Sequence, residues 1–302
     1  MTDTARLILR RKRQDAVFNV LGIACTLVGV VTLGALLVNL AVDGMSRLDW
    51  KFLTSFPDYD ATEAGVYSAW VGSLLLMLVT VSLAVPLGVA AGVYLEEYAR
   101  KNWLTTIIEV NIANLAGVPS IIYGLMALWL LRYQFSMKPS LLVGGITLAL
   151  LILPIVIVAT REALRAIPNG IREAAYALGA TRWQVVKDHL VPYSAGGIAT
   201  GTIIAMSRAI GETAPLVVIG AKAFVPFLPP SPLQSKFPFV NLEWLNAPFS
   251  VLPIQMYNWT DRADEAFHHN AAAAGLLLIL LTLSLNAAAI AIRYRLRRRI
   301  KW

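Results

Sequence analysis

Charge is scarce in this sequence. Of 302 residues only 15% are Asp, Glu, Lys or Arg, against roughly a quarter in an ordinary soluble domain. That excludes a chain whose whole surface faces water. Cysteine is nearly absent as well. The single Cys25 allows no internal disulfide, and in its apolar run it reads as a small buried hydrophobe. Only three histidines occur. His268 and His269 are adjacent, and neighbouring side chains seldom aim at one metal, so a solvated or interfacial role is expected. His189 has no second ligand near it in sequence, and no metal site is expected. No H-E-x-x-H or G-x-S-x-G pattern occurs, so intramembrane hydrolysis has no residues to carry it and no catalytic residue is assigned. There is no G-x-x-x-x-G-K-[ST] phosphate loop, nor any Gly-Lys dipeptide. Nucleotide chemistry is therefore not expected of this chain.

Apolar length is what the sequence has in abundance. Hydrophobic residues make up 57% of it and the mean hydropathy is +0.64. Six stretches are long enough to cross about 30 Å of hydrocarbon. They lie at about 17–42, 66–95, 104–131, 139–160, 193–221 and 271–292. A lone strand would leave its backbone groups unpaired in lipid, so helices are expected. The fold class is all-α, a polytopic membrane protein with six transmembrane helices and one domain, without internal repeats. The basic start Arg10-Arg11-Lys12-Arg13 resembles the opening of a signal peptide, but the run after it is too long, and an uncleaved first span is expected. Pro86, Pro119, Pro154 and Pro215 punctuate the spans; each frees a carbonyl that neighbouring helices must satisfy.

The net charge of +8 could suggest nucleic acid, but the cations cluster at the ends of the apolar runs, and membrane lipid is the better partner. Segments 1–16, 96–102, 161–192 and 293–302 hold 18 of the 26 Lys and Arg residues, against 7 in 43–63, 132–138 and 222–270. The positive-inside rule then places both termini in the cytoplasm. The run Arg293 to Arg299 reads as a stop-transfer anchor, and Glu96-Glu97 as a solvated helix end. Segment 222–270 becomes a long outer loop, rich in proline, whose Trp244, Tyr257 and Trp259 read as residues of the lipid interface.

The inner loop 161–192 carries the clearest pattern. Ile171, Ala174, Ala175 and Leu178 fall on one helical face. Gly179 follows, where a helix favours a residue that accepts the left-handed region. Thr181-x-x-Gln184 reads as a capping box for a second short helix with Trp183, Val186 and Leu190 on its apolar face. Pro192 would start the next span. Such a pair either lies on the membrane or presents the small Ala174–Ala175 face to a cytoplasmic partner.

One charged pair interrupts the fifth span. Arg208 lies near its midpoint and Glu212 one turn further. A charge at that depth costs about 2.5–3.5 kcal/mol on insertion scales and faces a cavity or a partner. Gly201 and Ala205 lead to it along the same face, as in a close-packed seam. The pair is either a structural neutralisation or an anion site on a substrate pathway. Arginine suits the second role because its planar fork matches an oxyanion and stays charged at any working pH.

Glu173, Ala174, Ala175, Gly179 and Pro192 match the spacing of the EAA loop, and this segment resembles the permease subunits of binding-protein-dependent ABC importers. His189 and Val191 stand where that family has Ile and Leu. The stretches Asn114–Trp129, Ser207–Val217 and Leu252–Leu278 resemble the A-type permease of phosphate importers (PstA-type), and the similarity covers most of residues 66–292. The resemblance implies a type I importer permease fold and docking of the EAA loop on a separate ATPase, with ATP bound there and no cofactor on this chain. It implies a second permease (PstC-like), two copies of the cytoplasmic ATPase (PstB-like) and a periplasmic phosphate-binding protein (PstS-like), in the bacterial inner membrane. Phosphate import by alternating access is the function it implies, with Arg208 and Glu212 on the pathway. The alternatives are a permease for sulfate, molybdate or phosphonate, or an ATP-independent secondary transporter, in which an EAA loop would serve no purpose. Reporter fusions test the topology. Those at Asp60 and Trp244 are expected to report the periplasm, and one at Gln184 the cytoplasm; a cytoplasmic signal at Trp244 would overturn it.

Overall fold

The computed structural model of the chain describes residues 3–232 and 241–298, with side chains within 11–232 and 241–295. The stretch of basic residues at either terminus and Pro238 of the proline-rich loop thus lie partly or wholly outside the described side chains. All regular structure among the described residues is helical. In order, the helices are α1 (Asp3–Met45), α2 (Trp50–Thr54), α3 (Tyr67–Val93), α4 (Trp103–Leu115), α5 (Ser120–Ala127) and α6 (Leu141–Arg165). They continue as α7 (Asn169–Ala177), α8 (Arg182–Gln184), α9 (Val191–Ile210), α10 (Ala214–Val218), α11 (Leu252–Thr260) and α12 (Ala266–Arg298). Several starts are set by local chemistry: Asp49 accepts from the Phe52 amide at 2.7 Å, Asn102 from Thr105 at 2.9 Å and Ser140 from Val143 at 3.5 Å. Each satisfies an amide that the first helical turn leaves without a partner.

Five helices are long and apolar enough to cross a membrane: Arg11–Met45, Tyr67–Tyr98, Leu141–Arg165, Arg182–Ile210 and Ala266–Arg295. The third predicted span is different. Trp103–Leu115 and Ser120–Gln134 are bent by 107° across the break at 116–119. Pro119 removes a donor and drives Val118 out of the helical region, and Gly117 beside it adds little resistance. Pro86 and Pro154, by contrast, stay inside continuous helices. The fifth predicted span also moves. Its helix begins eleven residues earlier in the chain than expected, because the π-helical turn Val185–Leu190 joins α8 to α9 and carries the chain through Pro192 without a break. It stops at Ile210, and Gly211–Thr213 separate it from the short α10.

The packed centre is α3 against α6, with α9 packed on α6 and touching α3. Side chains from all three, including Met77, Ala84, Ile152, Val156, Ala205 and Ala209, form one buried cluster. Gly201 lies so close to Ala159 that an added side chain would collide with it, which bears on the small-residue seam expected along α9. The α1 helix touches α12 but is otherwise exposed along its apolar length, and Cys25 is exposed there rather than buried.

Segment 222–270 is structured wherever it is described, and its aromatics correct the interfacial reading. Trp259 is fully buried between Phe52 and Phe267, and Trp244 is buried beside Phe249, while Tyr257 is exposed. At this end Arg47 ties the chain together. Its Nε donates to Asn270 Oδ1 at 2.9 Å and its Nη2 to the carbonyls of Ala61, Thr62 and Ala64 at 3.0, 2.6 and 3.1 Å. Asn270 in turn donates to Ala61 at 2.8 Å. His268 and His269 each lie within hydrogen-bonding distance of a backbone carbonyl, of Arg262 and Asp43. Truncating a buried aromatic costs about 3–5 kcal/mol. Trp259→Ala is therefore expected to lower the thermal midpoint of the detergent-purified protein by several degrees. An unchanged midpoint would show that this cluster does not hold the α2–α11–α12 end together.

Candidate functional site

Two helix breaks meet at one charged side chain. Arg208 stands in the last turn of α9, and its Nη1 donates to the carbonyl of Ala116, at the break between α4 and α5, across 3.4 Å. Its Nε donates to Glu212 Oε1 at 3.3 Å, so the ion pair expected from the one-turn spacing is present. The Arg208 side chain is 39% exposed and that of Glu212 18%. Nη2 has no protein acceptor among the described residues. The neighbouring carbonyl, Leu115, accepts from the Tyr123 hydroxyl at 2.9 Å. Thus the Tyr123 hydroxyl adds to the bond that the Leu115 carbonyl accepts from the Val118 amide at 3.1 Å, and Arg208 supplies a donor for the Ala116 carbonyl, as an apolar surrounding demands.

Depth follows from α12. Ser207 Oγ lies 2.9 Å from Asn286 Oδ1, and Asn286 is only four to five residues, about 7 Å, from the middle of the apolar run at 271–292. Arg208 is thus deep in the apolar layer, as its place in the sequence suggested. It gets there at the end of a helix and not at the centre of one. The cations of a last turn face the negative end of the helix dipole, a favourable setting. Beyond the break, α10 packs on α5, with Gly124 against Pro215. A Cβ at Gly124 would stand 2.7 Å from the Pro215 Cα, so the two segments touch backbone to backbone. Sequence reasoning missed the Ala116 carbonyl and Tyr123; Gly117-x-Pro119 was the signal that the third span is broken.

The second candidate element is the 161–192 loop. Gly179 has φ +83°, the left-handed conformation anticipated for it, and Thr181 and Gln184 form the reciprocal capping box. The α7 stripe is narrower than the pattern implied. Ile171 and Ala175 turn inward with Leu164, Ile167, Val185, Val186 and Leu190. Glu173 and Ala174 are exposed, Leu178 is 90% exposed and Trp183 63%. The apolar face of the second helix therefore starts at Val185 and leaves Trp183 outside. An outward group of Ala174, Leu178 and Trp183 around a glycine joint is a surface that water does not favour, of the kind that marks a contact with another protein. His189 is exposed nearby.

Glu96 and Glu97 are not a solvated helix end. They lie in the π-helical turn Tyr94–Tyr98 that closes α3. Arg165 Nε donates to Glu96 at 2.9 Å. The buried Arg161 lies 3.4 Å from Glu96 and 2.6 Å from Glu109 of α4, in ion-pair contact without the angles of directed hydrogen bonds. Arg172 of α7 takes Glu97 at 2.8 Å. The three acidic side chains thus draw together α3, α4, α6 and α7.

Broken helices whose ends meet at a charged pair inside the apolar layer, with an exposed amphipathic loop at one end, define a membrane permease. The chain belongs to the family of binding-protein-dependent transport system inner membrane components, whose model matches residues 84–302. It is 37% identical over 210 residues to the phosphate transport system permease protein PstA of Yersinia pestis, covering 68% of this chain and 70% of that one. It is 31% identical over 196 residues, 65% and 66% of the two chains, to the probable ABC transporter permease protein YqgI of Bacillus subtilis. The chain thus spans about two thirds of the length of these relatives. In fold it resembles a bacterial alginate ABC transporter solved with an alginate-bound periplasmic protein, with TM-score 0.66 over 94% of this chain and 96% of that one at 12% identity. The chain is a multi-pass permease subunit of an ABC importer and not an enzyme.

The loop geometry gives a direct test. A β-branched residue at a left-handed position costs roughly 1–3 kcal/mol, and the space around Gly179 is otherwise open. Gly179→Val is therefore expected to leave insertion intact and to reduce ATP hydrolysis by the assembled transporter. Unchanged hydrolysis in that variant would remove the joint from the coupling path.

Proposed function

We propose that this chain forms half of the membrane pathway of an ATP-driven phosphate importer and that Arg208 is its anion-binding residue. The observation that carries this is the Arg208 guanidinium, deep in the apolar layer, half-exposed, with no acceptor for Nη2 among the described residues. A guanidinium that only neutralised Glu212 would have no need of an open donor beside two opened helices. Charge-assisted, forked donors suit a tetrahedral oxyanion, and α5 starts at the same elbow, bringing the positive end of a helix dipole to it. The relatives named for phosphate transport support phosphate as that oxyanion over sulfate, molybdate or phosphonate.

In this reading the six spans keep both termini in the bacterial cytoplasm. Glu173, Ala174, Ala175 and Gly179 belong to the EAA loop, whose outward face docks on one of two copies of a PstB-like ATPase where ATP is bound; this chain binds no cofactor. A PstC-like permease supplies the other half of the pathway. A PstS-like phosphate-binding protein delivers its load to the end formed by 43–66 and the described parts of 222–270. ATP-driven movement of the loop then switches which side of the Arg208 site is open.

Paired substitutions separate the anion site from a structural neutralisation. If Arg208 only balances Glu212, removing both charges is tolerated better than removing one, because the unpaired charge is the costly state. If Arg208 grips the anion, Arg208→Gln with Glu212→Gln assembles normally yet imports less than about a tenth of the wild-type phosphate. Arg208→Lys is also expected to fail substantially, since a point charge cannot reproduce the fork. Uptake is measured in cells lacking other phosphate importers, with membrane levels checked and sulfate and molybdate as competitors. Near-normal uptake by the double variant would overturn the anion-site role.

A further inference from the structure

One side chain of the coupling loop holds three elements at once. Arg172, in α7, sends Nη2 to Glu97 Oε1 at 2.8 Å and to the Leu164 carbonyl at 3.0 Å, while Nη1 reaches the Ile167 carbonyl at 2.9 Å. Nε lies 3.3 Å from the same Glu97 oxygen, and Nη1 is 3.4 Å from Asn169 Oδ1. The side chains are well covered, Arg172 at 17% exposure and Glu97 at 10%. Leu164 and Ile167 flank the end of α6; the Leu164 carbonyl also accepts from the Ile167 amide at 3.2 Å, and the Ile167 carbonyl lies beyond the last turn. Glu97 closes α3. The guanidinium therefore bonds the last turn of α6 and the last turn of α3 from a helix that belongs to neither.

The need for such a tie is visible in the chain on both sides of α7. Pro168 precedes it and Gly179, in the left-handed region, follows it. Proline offers no amide to continue a helix and glycine little torsional resistance, so both ends of α7 are joints. Its apolar anchorage is small, with Ala175 as its one fully buried residue. A nine-residue helix held only in that way would rock against the membrane helices when pushed. With Arg172 in place, displacement of α7 must carry the ends of α3 and α6 with it, or else strip a guanidinium, a carboxylate and the Ile167 carbonyl of these partners at low exposure, which is costly.

We propose that Arg172 is the positioning residue that makes α7 move as one body with α3 and α6, so that force applied to the loop reaches the membrane helices. The inference rests on the reading of this loop as the contact with the ATPase. It adds a residue outside the Glu-Ala-Ala motif, one whose contacts face away from the docking surface.

The test uses the complete transporter reconstituted in liposomes, and its readout is the ratio of ATP hydrolysed to phosphate imported. In Arg172→Gln the ATPase is expected to co-purify at wild-type stoichiometry and basal hydrolysis to stay within about twofold. Import is expected to fall at least tenfold, so the ratio rises by a similar factor. Arg172→Lys keeps one charged arm and is expected to fall between. Exchange of the charges, Glu97→Arg with Arg172→Glu, restores an ion pair but gives the Leu164 and Ile167 carbonyls no donor from α7, and it is expected to stay uncoupled. Rescue by the exchange would reduce Arg172 to a plain ion-pair partner and overturn the proposal. So would a wild-type ratio in Arg172→Gln or in Arg172→Lys, including the case where assembled transporter is merely less abundant. If the ATPase fails to co-purify even with the unaltered chain, the docking reading itself falls, an outcome distinct from any of these.

Discussion

Hydrocarbon offers no hydrogen bonds, so every backbone group opened inside it must find a partner within the protein. This chain opens two helices there and closes the account with side chains from a few nearby positions. Tyr123 bonds the Leu115 carbonyl, and Arg208 bonds that of Ala116. The arginine would be prohibitively placed without Glu212 and the carbonyl, and the carbonyl would be unpaired without the arginine. The same contact ties the end of α9 to the elbow between α4 and α5, whose bend Pro119 sets.

Much of this was legible in the residues. Apolar length and the helix requirement of a bilayer identified the spans, and one-turn spacing identified the Arg208–Glu212 pair. Gly179 and Thr181-x-x-Gln184 identified the joint and cap of the loop, because left-handed turns and capping boxes depend on only a few adjacent residues. What could not be read depended on distant contacts. Pro119 and Pro192 look alike in sequence, yet one ends a helix at a sharp bend and the other sits in a continuous helix, because a π-helical turn precedes the second. Glu96 and Glu97 look like a solvated terminus until α4, α6 and α7 bring arginines to them. Trp259 lies in a proline-rich segment, and only the approach of Phe52 and Phe267 buries it.

The two functional regions are built on opposite principles. Around Arg208 the contacts are few and long, between 3.3 and 3.4 Å, and among the described residues one donor has no acceptor. Around Arg172 they are more numerous and covered, three of them between 2.8 and 3.0 Å and two at 3.3 and 3.4 Å. The anion-binding role proposed for Arg208 calls for a group that the protein leaves unsaturated, and the transmitting role proposed for Arg172 calls for one that it saturates.

The continuity of the helix from Arg182 to Ile210 has a mechanical meaning. Gly197 and Gly201 lie against Ala163 and Ala159 of α6 with no room for a side chain at either, and a pivot at Gly201 sets the lengths of the two arms. From there Trp183 is about 27 Å away on one side and Arg208 about 10 Å away on the other, at 1.5 Å per residue. Rotation about that point moves the arginine in the opposite sense to the tryptophan and less than half as far. The arrangement is a reducing lever: a broad sweep at Trp183 becomes a short stroke at Arg208.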